Sequence, residues 1–272
     1  MVSGKKLPLL ISIPHSGLQV PAELEDFCRL NLPDRLRDGD TWAGQLFDLK
    51  DNVLAFFRFA VARAIVDPNR AADDLPPKNP DGVVKTVTVD GEPVWKNSGG
   101  LAAEQVEFLL NEYYYPYHQS LAASSQNQGI LLGLDCHTML ALAPQSSPRP
   151  LEKRPLVCLS NRGDQNGDKL DEPLSAPPGL LRALGKALEQ RLQNIDRDRS
   201  VPVVSLNRPF RGGYVVRKNR DLGLIPWIQV EFNRSLYLSS EPRTKIPDQE
   251  TARRLDNLRS LFLSALEELF HS

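Results

Sequence analysis

The sequence predicts an α/β fold in which a sheet is covered by helices on both faces. Two observations lead there. Apolar runs of strand length recur along the chain, and several are apolar throughout rather than alternating, as strands buried on both faces are. Amphipathic helical patterns lie between them. In such sheets ligands gather at the carboxyl ends of the strands. The length of 272 residues suits one large α/β domain or two small ones, and residues 1–272 are read as a single domain.

The elements follow in order. PLLISI (8–13) reads as a buried strand that stops at Pro14, with His15 directly after it and a turn at Ser16-Gly17. Residues 34–52 read as a loop and then a helix, with Thr41 as a possible cap and Leu46, Phe47 and Leu49 as its apolar face. FFRFAVARAIVD (56–67) suggests one or two strands ending at the turn DPNR. Residues 68–100 are rich in Pro, Gly, Asp and Asn, with VVKTVTV as a short β-prone piece. A loop this long is usually functional or disordered. Residues 101–124 carry the longest helical pattern, with Val106, Leu109 and Leu110 as its stripe. Pro116 is expected to kink or divide that helix. GILLGLDCHTM (129–139), PLVCLS (155–160), VPVVSL (201–206) and IPWIQVEFNRSLYL (225–238) supply further strand candidates. Residues 179–195 and 250–272 read as amphipathic helices.

Composition excludes several function classes. Net charge is −1 and the pI about 6.4, so no electrostatic footprint for nucleic acid is present. No stretch approaches the roughly 20 apolar residues of a membrane span. LPLLISI is short and lacks a small-residue cleavage site, which reads as a strand rather than an export signal. Cys28, Cys136 and Cys158 are odd in number and form no CxxC, as expected of a reduced, cytoplasmic chain.

Polar residues collect where apolar runs end. His15 follows the first, and Asp135 and His137 close LLGLDCHTM. Glu231, Asn233 and Arg234 close WIQVEFNR, while Asp67, Asn69 and Arg70 close AIVDPNR. Were these strands parallel neighbours, one sheet edge would carry two His, three carboxylates and two Arg, a grouping suited to a metallohydrolase. His15 and His137 are the leading ligand candidates. Asp40, in the Gly-containing loop RDGDTW, is the third, and its alternative is to cap the following helix. Asp135 precedes His137 by two residues and faces the same side of a strand, as a ligand or as an acceptor for an imidazole. Glu231 serves either water chemistry or an ion pair with an arginine. Gly212-Gly213, flanked by Arg211 and Arg217, permits close backbone approach to a ligand or marks a hairpin. His118 lies on a helix, where a structural role competes with contact to metal or substrate, and His271 is expected in solvent. Cys136, between two polar residues, reads as a buried inert thiol. No HExxH, GxSxG, Walker loop or GxGxxG is present.

Taken together, SIPHSGLQVP (12–21), DGDTWAGQLF (38–47), VDPNRAADD (66–74), YYPYHQSL (114–121), LDCHTM (134–139), NRPFRGGYVVRKN (207–219) and QVEFNRSLYL (229–238) resemble the N-formylglutamate amidohydrolase family in content and order. The resemblance implies a three-layer α/β/α fold with a mixed, largely parallel sheet, like the zinc carboxypeptidases and aspartoacylases. It implies a hydrolase of N-acyl amino acids with one Zn2+, and N-formyl-L-glutamate from histidine breakdown is its most familiar substrate. By this analogy His15 and His137 look like zinc ligands and Glu231 like the carboxylate that activates water. Asn69 and Arg70 resemble a pair that grips a substrate carboxylate, and Arg211, Arg217 and Arg234 are further candidates for that task. The zinc carboxypeptidases carry a Glu three residues after the first His; here that position is Leu18, so another residue such as Asp40 must serve. A zinc amidase acting on another N-acyl amino acid or a peptide is the nearest rival. A non-catalytic carboxylate-binding protein on the same fold is the other.

Overall fold

The protein is described by a computed structural model covering residues 6–145, 147–195, 198–239 and 242–271; the His271 side chain lies outside the described part. Six strands form one sheet: β1 (Leu7–Ile13), β2 (Val53–Arg58), β3 (Leu132–Met139), β4 (Val157–Ser160), β5 (Val204–Leu206) and β6 (Trp227–Asn233). Their spatial order is β2-β1-β3-β6-β4-β5. All neighbours pair parallel except β4 with β6, which are antiparallel. The sheet is therefore mixed and mostly parallel, and β1, β3 and β6 lie side by side at its centre.

Strand alternation sends each run's odd and even residues to opposite faces. On one face Leu9, Ile11, Ile13, Leu134, Cys136, Val230 and Phe232 pack against the helices α2 (Ala43–Leu46), α5 (Pro178–Leu192) and α7 (Gln249–His271). Leu255, Leu258, Phe262 and Leu266 on α7 repeat at helical spacing and are all buried. Each such side chain contributes about 1.5–3 kcal/mol when removed from water. On the other face Leu10 and Trp227 pack with Leu121 of α4 (Tyr115–Ser125) and with Val215 and Val216 of α6 (Tyr214–Leu222). Gly133 is forced there, because a Cβ would stand 2.4 Å from the Trp227 indole.

Some expectations are met and several are corrected. The run 56–67 holds the end of one strand, β2, which meets the expectation of one or two; residues 63–65 turn, and Ile65 in that turn and Val66 just after it are buried. The expected helix after Thr41 shrinks to the single turn α2. Thr41 does not cap it, since its hydroxyl donates to the Leu36 carbonyl at 2.7 Å. A helix α1 (Leu32–Asp38) precedes it, started by a capping box in which Asn31 and Asp34 serve each other's backbone N–H. The long helical pattern is divided, as expected, and Pro116 stands in the first turn of its second part. Between α3 (Ala103–Leu109) and α4 a π-helical stretch, Leu110–Tyr114, lets the Tyr115 N–H reach the Leu110 carbonyl and absorbs the proline. VVKTVTV forms no strand. Its Lys85 is fully buried, with Nζ 3.0 Å from Asp38 and 2.8 Å from Asp81, so the loop is held by ion pairs. In the run 210–217, which allows a hairpin or bulge, the residues from Tyr214 onward instead begin α6, with Gly213 at its N-cap.

Candidate active site

The site lies beyond the carboxyl ends of β1 and β3, beside β6, in a cavity of about 330 Å³. Parallel pairing fixes its layout. Ser12 lies beside Asp135, Asp135 beside Gln229, and His137 beside Glu231. Asp135 and His137, and likewise Gln229 and Glu231, are two apart on one strand and so share a face.

Three side chains converge. His137 Nδ1 lies 3.2 Å from His15 Nδ1 and 3.1 Å from Asp40 Oδ2, and His15 Nδ1 lies 3.8 Å from the same oxygen. All three residues are buried. The far side of each imidazole is anchored. His15 Nε2 meets Asp67 Oδ1 at 2.7 Å, and His137 Nε2 meets Asp135 Oδ2 at 3.0 Å. A carboxylate on Nε2 fixes the tautomer that leaves a lone pair on Nδ1, the arrangement typical of metal-ligating imidazoles. The triad His15, Asp40 and His137 could thus hold a metal ion. Three electron-rich atoms facing one point need a cation or a proton between them, and this donor set of two imidazoles and a carboxylate suits zinc.

The anchoring carboxylates are themselves fixed. Asp135 accepts from the Ser12 hydroxyl at 2.9 Å, and Ser12 in turn contacts the Tyr117 hydroxyl at 2.8 Å. Asp67 accepts from Arg63 Nε at 3.0 Å and from the Asn69 backbone N–H at 2.8 Å. Burial opposes the Asp67 charge, but His15 and Arg63 hold its carboxyl well below the usual range. Burial pushes His15 below the ordinary imidazole value, toward the neutral form a ligand requires. Burial acts the same way on His137, yet Asp135 and Asp40 outweigh it and raise that pKa.

Asp40 does not cap α2. Its oxygens go to His137, to the Thr138 backbone N–H at 3.0 Å and to Arg234 Nη2 at 3.2 Å. Arg234 is buried and also donates to the Gly39 carbonyl at 2.6 Å and Thr138 Oγ1 at 3.1 Å, so it secures the Asp40 loop. Glu231 lines the cavity and accepts from Gln229 Nε2 at 2.8 Å. Gln229 in turn accepts from the Gly213 N–H at 2.5 Å. Burial pushes the Glu231 carboxyl up to about 7, against the pull of His137.

The other predicted residues are spread over different environments. Asn69 lines the cavity; its Oδ1 accepts from the Val215 N–H at the start of α6, and its Nδ2 lies 3.3 Å from His137 Nε2. Arg70 lines the cavity too, with Nη2 donating to Asp81 at 2.5 Å. Arg211 stands at the rim, exposed, with Nη2 on the Arg162 carbonyl. Arg217 lies outside the cavity wall on α6, 5.3 Å over the Tyr214 ring. His118 is buried away from the cavity and its Nε2 lies 3.0 Å from the Pro68 carbonyl, steadying the turn that carries Asp67 and Asn69. Sequence reasoning missed the role of Asp67 as the partner of His15, although the residue stands in the quoted DPNR turn. Gln229 was detectable from its two-residue spacing to Glu231. Arg154, which also lines the cavity, carries no local signal in RPLEKRPL.

Residues 7–238 match the family model described as N-formylglutamate amidohydrolase. The chain is 28% identical over 251 residues to N-formylglutamate deformylase of Pseudomonas putida, spanning 88% of this chain and 85% of that protein. It is 28% identical over 219 residues to N-formylglutamate deformylase of Pseudomonas aeruginosa, spanning 78% and 74%. The crystal structure of N-formylglutamate amidohydrolase from Ralstonia eutropha is similar, with a TM-score of 0.71 and 25% identity over 98% of this chain and 95% of that one.

Proposed function

The chain belongs to the N-formylglutamate amidohydrolase family, and from that premise we propose that it is a zinc-dependent hydrolase of N-acyl amino acids that converts N-formyl-L-glutamate and water to formate and L-glutamate. The observation that carries the proposal is the convergence of His15, Asp40 and His137, each imidazole backed by its own carboxylate, beside a buried Glu231. When bound by these three residues, zinc supplies Lewis-acid polarisation and lowers the pKa of water.

The chain's own residues do the rest. Glu231, poised near neutrality and aimed by Gln229, accepts a proton from the attacking water. Water oxygen adds to the formyl carbon, the carbon–nitrogen bond breaks, and Glu231 returns the proton to the leaving amine nitrogen. Asp67 and Asp135 keep both imidazoles in the ligating orientation, and Arg234 keeps Asp40 in place. Cationic residues of the wall hold the substrate's carboxylates.

Formate and L-glutamate release from N-formyl-L-glutamate tests the reading. Equal yields of both products are expected from the zinc-loaded protein. Glu231→Gln is expected to lower kcat by about 10²–10⁴-fold while zinc content stays unchanged. A Glu231→Gln variant with wild-type kcat would remove Glu231 from the proton transfer.

A further inference from the structure

We propose that Arg154 binds a substrate carboxylate in this cavity. The inference rests on the hydrolase reading above and extends it to a residue that the sequence motifs do not include.

The arginines of the wall differ in what they already hold. Arg37 pairs with Asp90, Arg63 with Asp67, Arg70 with Asp81, and Arg234 with Asp40. Arg154 has no ion pair and no side-chain hydrogen bond among the described residues, and its Nε is shut off from solvent without a partner. Its guanidinium carbon lies 5.0 Å over the Phe210 ring, which supports the cation without supplying an acceptor. Both residues line the cavity that holds the His15–Asp40–His137 triad and Glu231.

A half-buried guanidinium in the cavity wall that pairs with no carboxylate can take one that enters the cavity. Burial lowers the Arg154 pKa, and the charge of Glu231 only partly opposes this. A substrate carboxylate would meet two parallel N–H groups in a fork, the geometry for which arginine is suited and lysine is not. Arg211 also lacks a carboxylate partner, but it is exposed and already donates to a backbone carbonyl.

N-formyl-L-glutamate offers an α-carboxylate and a side-chain carboxylate, and either can occupy the fork. The test compares wild type, Arg154→Ala and Arg154→Lys, all zinc-loaded, on N-formyl-L-glutamate, N-formyl-L-glutamine and the α-amide of N-formyl-L-glutamate. Arg154→Ala is expected to raise KM for N-formyl-L-glutamate roughly 10- to 100-fold with a smaller change in kcat. Arg154→Lys should recover part of that loss. The exposed Arg149→Ala, a control for general electrostatics, should recover wild-type behaviour. If the penalty disappears for the glutamine compound, the fork holds the side-chain carboxylate; if it disappears for the α-amide, it holds the α-carboxylate. A KM within twofold of wild type, or an equal penalty on all three compounds, overturns the proposal. Glutarate binding measured by calorimetry separates this from the activity itself. Were wild type to release no formate, the reaction would fail, but weakened glutarate binding in Arg154→Ala would still support the carboxylate site. Absent or undiminished glutarate binding would overturn it.

Discussion

Asp135 and His137 stand two residues apart on β3 and face the same side, so that the carboxylate takes Nε2 of the imidazole at 3.0 Å and turns Nδ1 toward His15 and Asp40. The sheet's own period therefore orients the imidazole. Asp135→Asn keeps the shape and removes the charge that fixes the tautomer. It is expected to weaken zinc affinity about 10- to 100-fold, measured by competition with a chromogenic chelator. Unchanged affinity would show that the orientation comes from elsewhere.

Gly213 is the point where α6 meets the Asn69 side chain. A Cβ there would stand 2.4 Å from both Asn69 Oδ1 and Nδ2. Gly213→Ala is expected to displace Asn69 and to destabilise the fold by about 1–3 kcal/mol in chemical denaturation. Gly179, in α5, is the matched control, since a Cβ there meets nothing within 4 Å. Gly179→Ala should be neutral or stabilising by about 0.5–1 kcal/mol.

His118 gives the protein a pH-dependent stability. Burial, helped by Lys218, lowers its pKa to about 3, while the unfolded chain takes up the proton near 6.5. Below pH 6.5 the unfolded state binds a proton that the folded state refuses. Stability therefore falls as pH falls, by about 1.4 kcal/mol per unit at most, until the folded-state pKa is reached. His118→Gln retains a donor for the Pro68 carbonyl and removes the titration. The difference between the two unfolding profiles should slope between pH 6 and 4 and be flat above pH 7.5. Parallel profiles would assign the slope to other groups.

Much of the site was legible because strands and sites share a geometry. His15, His137 and Glu231 end apolar runs, and apolar runs that alternate with helices become parallel neighbours. The carboxylate partner of each imidazole was harder to see. Asp135 is given by the strand period, but Asp67 reaches His15 only because the chain after β2 turns back at residues 63–65. Lys85 looked like part of a β-prone piece, since its two aspartates are remote in sequence and only the tertiary fold brings them together. Val215 and Val216 lie in FRGGYVVR (210–217), where Gly212-Gly213 allow a hairpin or a bulge. They form a helix because its first turn is held by Asn69 and its apolar residues are buried against the sheet. Arg154 lies in a charged loop, and its distinction is the lack of a partner, which sequence does not record.

The central claim is that hydrolysis depends on a metal held by His15, Asp40 and His137. The most direct test is formate release from N-formyl-L-glutamate by the purified protein before chelation, after chelation and after zinc is returned, with His137→Ala run in parallel. The account predicts that activity vanishes with the chelator, returns with zinc, and is absent from a His137→Ala protein that holds no stoichiometric zinc. Full activity in the chelated protein, or a His137→Ala variant that binds zinc as wild type does, would contradict it.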